Sequence, residues 1–305
     1  VQSIETRGVD DTFVSRVRGK DGKLVWAKVY GEQDSSEPVT GVVADGKGGV
    51  YVTGTYYRTV EFDREKSAFT LDEISDNDIY LGHLVSNGGK TASGATWDWL
   101  MPIGGGEDEV GGGIALGPTG DIYLTGSFGD RVEFQPGVAS SALTSIGERD
   151  AFVARYSRKG KLVWARQIGG DDAEILGKVV AVDSSGAVYA AGDFNEKVYI
   201  TQGRRTVTLN AEDKDSDAPP MNWMDPTDVY VTKFTASGKL AYAKHIGGED
   251  AGMTVNGIAA AANGDVTLTG GYAGTADFNP GRATFIRYTS DEKREMDAWW
   301  VKLLG

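Results

Sequence analysis

From Asp11 onward, short runs of β-branched and aromatic residues alternate with Gly, Ser, Asn and Asp, and no stretch sustains an apolar period of 3.6 residues. Alternation with a period of two marks strands with one face turned inward. In Lys161–Ile168, Leu162, Trp164 and Ile168 share one side while Val163 and Ala165 share the other. The chain is therefore predicted to be all-β, with few helices.

The strand pattern repeats. Segments opening DTFVSRV, DIYLGHL, DAFVARY, DVYVTKF and DAWWVKL begin at Asp11, Asp78, Asp150, Asp228 and Asp297, about 70 residues apart. The boundaries are about 11–77, 78–149, 150–227 and 228–296, with a closing strand over 297–305, in one domain spanning 1–305. Each unit carries four strand-like runs, and a sequence built this way packs its units against one another. Four antiparallel strands repeated radially give a β-propeller, an arrangement that hides strand edges. Four blades are expected, with five as the alternative.

Small-residue runs (GVVAD, GIALG, VVAVD, GIAAAA) suit a crowded innermost strand. Trp26, Trp99, Trp164 and Tyr242 each precede by five residues the glycine closing an outer strand, and are expected to form core between blades. Gly- and Asn-containing turns such as Asp183–Gly186 and Lys20–Gly22 join neighbouring strands. With the small-residue strand innermost, the chain opens with the outer two strands of one blade and ends with the first three of another. Pairing the two ends in one sheet would close the ring. Alternatively, the partial blades complete a fifth blade or pair with a neighbouring molecule, since free strands template association.

The order VVAVDSSGAVYAAG followed by DAFVARYSRKGKLVWARQIGG resembles the bacterial SBBP-type β-propeller repeat, and VEFDRE, VEFQPG and ADFNPG resemble its DFDPG-containing subgroup. The similarity runs over nearly the whole chain. It implies a secreted or cell-surface bacterial protein acting as a non-catalytic scaffold or binding module. The family name suggests seven blades, and this chain departs from that with about four longer units.

Composition narrows the chemistry. Forty-three glycines among 305 residues fit a turn-rich β chain, and a net charge of −13 disfavours nucleic acid as a partner. No apolar run is long enough for a membrane helix, so no membrane insertion is expected. The absence of cysteine removes disulfides, thiolate zinc sites and cysteine nucleophiles, and His83 and His245 are too few for a three-histidine metal centre. The chain opens at Val1, which suggests a processed or excised chain.

Candidate chemistry falls on loops. GEQD (Gly31–Asp34), GGED (Gly105–Asp108), GGDD (Gly169–Asp172) and GGED (Gly247–Asp250) follow the outermost strands. On one face of a ring, Asp34, Glu107, Asp108, Asp171, Asp172, Glu249 and Asp250 would form an acidic rim able to hold calcium through oxygen ligands; the competing reading is ordinary turn chemistry. The opening aspartates recur in every unit and are expected to bond turn amides. The largest departure from the repeat is Asn210–Thr227. There Asp213, Asp215 and Asp217 alternate like the start of a calcium loop, but Ala218 stands where that loop needs glycine and Met224 where it needs glutamate. Met221, Trp223 and Met224 place apolar bulk in the same loop, a candidate contact for a protein or glycan. No nucleophile elbow, phosphate loop or dinucleotide fingerprint is present. The expectation is a non-catalytic secreted or surface scaffold, stabilised by calcium if by any cofactor. The alternatives are a carbohydrate-active enzyme using acids on one propeller face, and a subunit of an assembly joined through its half-blade ends.

Overall fold

In the computed structural model the described residues are 11–31, 36–63, 69–74, 76–88, 94–171, 173–211, 227–248, 251–280, 285–288 and 296–305. They form antiparallel strands, with a three-residue 3₁₀ turn at Ala139–Ser141.

Three four-stranded units recur. Sheet one holds Val39–Ala44, Val50–Tyr56, Asp78–Ser86 and Ala95–Gly105; sheet two holds Glu109–Leu116, Ile122–Phe128, Asp150–Tyr156 and Leu162–Ile168. Sheet three holds Ile175–Val182, Val188–Phe194, Asp228–Phe234 and Leu240–Ile246. A fourth sheet has only Gly252–Ala260, Val266–Ala273 and Asp297–Leu303, and a hairpin of Thr12–Val17 and Leu24–Tyr30 precedes sheet one. The strands within each sheet follow chain order, so each of the three complete units uses two strands before an opening aspartate and two from it onward.

The register is the same throughout. Arg16, His83, Arg155 and Lys233 lie opposite Trp26, Trp99, Trp164 and Tyr242, and one residue later each pairing slips by a bulge. The bulge turns the outer aromatic ring towards the next sheet. There a glycine receives it: a Cβ on Gly160 would lie 3.0 Å from the Trp99 ring and one on Gly238 2.8 Å from the Trp164 ring, while one on Gly94 would lie 3.0 Å from the Trp26 Cβ. Gly160 and Gly238 also adopt positive φ in their turns, so two demands meet on one residue. The Trp99 and Trp164 indoles donate to the Arg158 and Ala236 carbonyls of those turns at 3.2 and 3.0 Å. The expected inter-sheet role of these aromatics is what the packing displays.

Successive sheets pack face to face. Val14 and Tyr80 share the core between the hairpin and sheet one, Leu81 and Phe152 the core between sheets one and two. Val153 and Tyr230 share the next core, and Val231 and Trp299 the last. The small-residue strands lie innermost. Thr40, Gly112, Lys178 and Asn256, one from each first strand, line a common cavity of about 310 Å³. Next to it the Thr55, Ser127 and Asp193 side chains accept hydrogen bonds from the Gly111, Gly177 and Val255 amides of the following sheet, at 3.1, 3.0 and 2.9 Å.

The segments resembling the DFDPG subgroup form accessory hairpins between second and third strands: Val60–Glu61 with Thr70–Leu71, Arg131–Glu133 with Ala142–Thr144, Lys197–Gln202 with Arg205–Asn210, and Thr275–Asp277 with Ile286–Tyr288. Three of them reach back to the outer strand of the preceding sheet, pairing Val132 with Gly105, Tyr199 with Gly169 and Asp277 with Gly247. The closing pattern differs from the expectation. Leu24–Tyr30 pairs with Thr12–Val17 in a sheet of its own, and Asp297–Leu303 pairs only with Val266–Ala273 among the described residues. Thr12–Val17 and Asp297–Leu303 are copies of the same third strand, and the first already occupies the pairing edge of Leu24–Tyr30.

Candidate functional site

The opening aspartates are structural. Asp78, Asp150 and Asp228 are fully buried, and their carboxylates accept from the amides of Ile74 (2.8 Å), Ile146 (2.9 Å) and Gly248 (3.3 Å). They also explain the double glycines. A side chain on Gly104, Gly169 or Gly247 would collide with the aspartate of its own sheet, and one on Gly105, Gly170 or Gly248 with the backbone of the next accessory hairpin.

The acidic rim is not assembled among the described residues. Glu107 and Asp171 are exposed; Asp108 accepts from the Asn77 amide at 2.9 Å and faces Arg149 at 3.8 Å. Among the described residues no three His, Asp or Glu side chains gather as a metal site. Asp34, Asp172, Glu249, Asp250, Asp213, Asp215, Asp217, Met221, Trp223 and Met224 lie outside the described residues.

Two places hold titratable groups inside the packing; the first is a buried acid that sheet one shares through Glu37. Glu109 enters the first strand of sheet two fully buried, where sheets three and four carry Ile175 and Met253. Neither of its carboxyl oxygens has a well-formed hydrogen bond among the described residues. Burial, then the adjacent Asp78 charge, pushes its carboxyl up to about 9, against the opposing pull of the Gly105 amide. It is protonated at neutral pH, and enclosure keeps it from any substrate.

The second cluster surrounds His83. Its Nε2 lies 3.1 Å from Asp45, its Nδ1 3.2 Å from Asp98, and its ring stacks on Tyr51 at 4.4 Å. The same register position holds Arg155, which pairs with Asp121 at 2.7 Å, and Lys302, which pairs with Asp265 at 2.7 Å. Lys233 there sits over Tyr189 at 4.8 Å. His83 thus takes in sheet one the place that Arg155 holds in sheet two, between a tyrosine ring and a turn aspartate. It borders a cavity of about 370 Å³ with Arg158 and Lys159 across from it.

An open apolar site lies at the edge of sheet four. A groove of about 550 Å³ runs along Asp297–Leu303, lined by Phe278, Phe285, Arg287, Trp299, Trp300 and Val301 among others. It lies where the other sheets carry a fourth strand. Trp300 is 73 % exposed, whereas Leu81, Val153 and Val231 in the same register are fully buried. Phe285 and Ile286 of the accessory hairpin are exposed beside it. Among the described residues no strand pairs with the other side of Asp297–Leu303, so the outward tryptophan stands beside a strand edge.

No family model matches the chain. Over 160 residues, 51 % of its length, it is 28 % identical to an uncharacterized WD repeat-containing protein of Acanthamoeba polyphaga mimivirus. The aligned region is 11 % of that relative's length.

Sequence reasoning passed over Trp300 and Glu109. Both were detectable by aligning units within the chain: DAWWVKL puts a second tryptophan where DIYLGHL, DAFVARY and DVYVTKF put Leu or Val. At the place of Glu109, sheet one also carries a buried acid, Glu37, while sheets three and four carry Ile175 and Met253.

Proposed function

We propose that this chain is a propeller-type repeat scaffold that binds protein partners, with the open edge of sheet four as a contact surface for an extended strand. The observation that carries the reading is Asp297–Leu303, a third strand that elsewhere always has an outer strand beside it, here bordering an apolar groove. Strand addition supplies affinity through backbone hydrogen bonds and specificity through pockets for alternate side chains. Four first strands around one cavity support a radial arrangement of four sheets, the N-terminal hairpin being a fifth, incomplete member. The likeness to a WD repeat protein supports it too, since such repeats are four-stranded propeller blades. The resemblance to SBBP-type repeats supports a non-catalytic role in a secreted or surface bacterial protein. Calcium finds no support among the described acids.

The test uses a peptide of sequence LVWARQIGG, copied from the outer strand of sheet two. It is expected to bind saturably by fluorescence anisotropy and to slow hydrogen exchange of Asp297–Leu303 at least tenfold, with no effect from a peptide carrying proline at alternate positions. Binding that leaves those amides unprotected, or no binding, overturns the reading.

A further inference from the structure

The two ends of the sheet series present the two halves of one interface. Each sheet contributes an aliphatic residue of its third strand to the sheet that follows: Val14 to the core with Tyr80, Leu81 to that with Phe152, Val153 to that with Tyr230, Val231 to that with Trp299. Trp300 is the next member of the first set, and sheet four has no following sheet among the described residues. Phe13 is the corresponding member of the second set, and the hairpin has no preceding one. Phe13 is 64 % exposed although Tyr80, Phe152 and Tyr230 in its register are fully buried. Val17 is 58 % exposed where Leu84, Tyr156 and Phe234 are fully buried, and Leu24 beside it is also open. Within one copy these faces do not cover each other, as both remain open to solvent.

We infer that this protein self-associates head to tail, the Phe13–Val17–Leu24 face of one copy packing on the Trp300 face of sheet four in a second copy. The partner is a second copy because the contact continues an interface that the chain already makes four times, with the same register on both sides. The inference rests on the scaffold reading only in taking sheet four as a binding surface; it uses the face of that sheet, not its backbone edge. The joint is heterologous, so each added copy presents a fresh end and growth does not stop at two. Fourth-sheet Thr269 and Gly271 stand where sheet three has Ala191 and Asp193, so the new joint lacks the inter-sheet hydrogen bond that Asp193 gives to Val255. Association is therefore weaker than packing within the chain, and depends on concentration.

The experiment is light scattering on the full chain from about 10 μM to about 1 mM, a span that covers weak protein association. The weight-average mass is expected to rise at least twofold above the 32.5 kDa monomer and to keep rising past the dimer. Trp300→Asp and Phe13→Asp should each hold the chain monomeric with unchanged circular dichroism, both side chains being exposed. Mixed together, the two variants retain one good half-joint each and should form a dimer that grows no further. Val17→Asp replaces Phe13→Asp should the latter fail to fold. A monomer at every concentration, a mass that stops at the dimer for the unaltered chain, or variants that assemble like it would overturn the inference. Retained capture of the LVWARQIGG peptide by a monomeric chain would show that the edge reading survives without it.

Discussion

Replacing Glu109 with methionine, the residue sheet four uses at the same place, should stabilise the protein in a pH-dependent way. The carboxyl ordinarily titrates near 4.5 and is pushed up to about 9 by burial beside Asp78. The folded state therefore holds a proton that the unfolded state releases above pH 4.5. For an acid with a raised folded value, stability is complete below 4.5 and falls as pH rises, by about 1.4 kcal/mol per pH unit, until 9 is reached. At pH 7 that cost is about 3 kcal/mol, a large part of the stability of a typical domain. The difference between the unfolding free energies of Glu109→Met and the unaltered chain should thus grow steadily from pH 5 to pH 9. Urea unfolding at five pH values across that range measures it, and taking differences removes the shared background of the other acids. Glu109→Gln, which keeps the shape and removes the titration, should lose the same slope. Stability curves that stay parallel over the whole range would refute both the burial of this carboxyl and the proton bound to it.

Three further perturbations probe the repeat itself. Gly170→Ala forces a methyl into the Lys197 carbonyl of the next accessory hairpin and should cost about 2–3 kcal/mol in thermal unfolding, a backbone collision having no flexible atom to yield. Trp164→Ala should cost about 3–5 kcal/mol, and Trp164→Phe should recover all of it except the indole bond to Ala236, about 1 kcal/mol, both read from chemical denaturation. Asp193→Ala strands the Lys178 ammonium and the Val255 amide and should cost about 2 kcal/mol or more; Asp193→Ser with Lys178→Gly, copying Ser127 and Gly112 of sheet two, should restore most of that loss in the same assay.

Repetition made the scaffold legible before any coordinates. The five openings from Asp11 to Asp297, the glycine five residues after each outer aromatic, and the small-residue runs all report geometry that must recur in every unit, so their physical demands show as a period in the chain. What recurs was nevertheless only half explained. Weighed by their acids, the Gly-Gly-acid loops admit both an acidic rim and ordinary turn chemistry, whereas the glycines carry the constraint, seating Asp78, Asp150 and Asp228 on one side and an accessory hairpin on the other. The pairing of VEFQPG with the short strand after it joins residues through a loop, and a period of two says nothing about which strand lies beside which. The end joint failed for a related reason: Thr12–Val17 and Asp297–Leu303 answer to the same pattern, so pattern alone does not decide which of them holds Leu24–Tyr30.

Departures from the repeat divide by what surrounds them. Glu109, matched by Glu37 but not by Ile175 or Met253, and the pair Lys178–Asp193 lie inside the packing, where a change must be compensated locally; Glu109 keeps a proton, and Asp193 binds Lys178, Thr254 and Val255. Such changes alter how two sheets grip one another and leave the outer surface as it was. Trp300 and Phe13 differ in the opposite sense: their register is ordinary, but no neighbour among the described residues buries them as their counterparts are buried elsewhere. A core-type tryptophan left 73 % exposed has the shape of an unfilled contact, because the large apolar area that makes tryptophan useful in a core is a liability in water. Function on this scaffold is therefore to be sought where the series of sheets stops, and less in the acid-bearing loops that every unit shares.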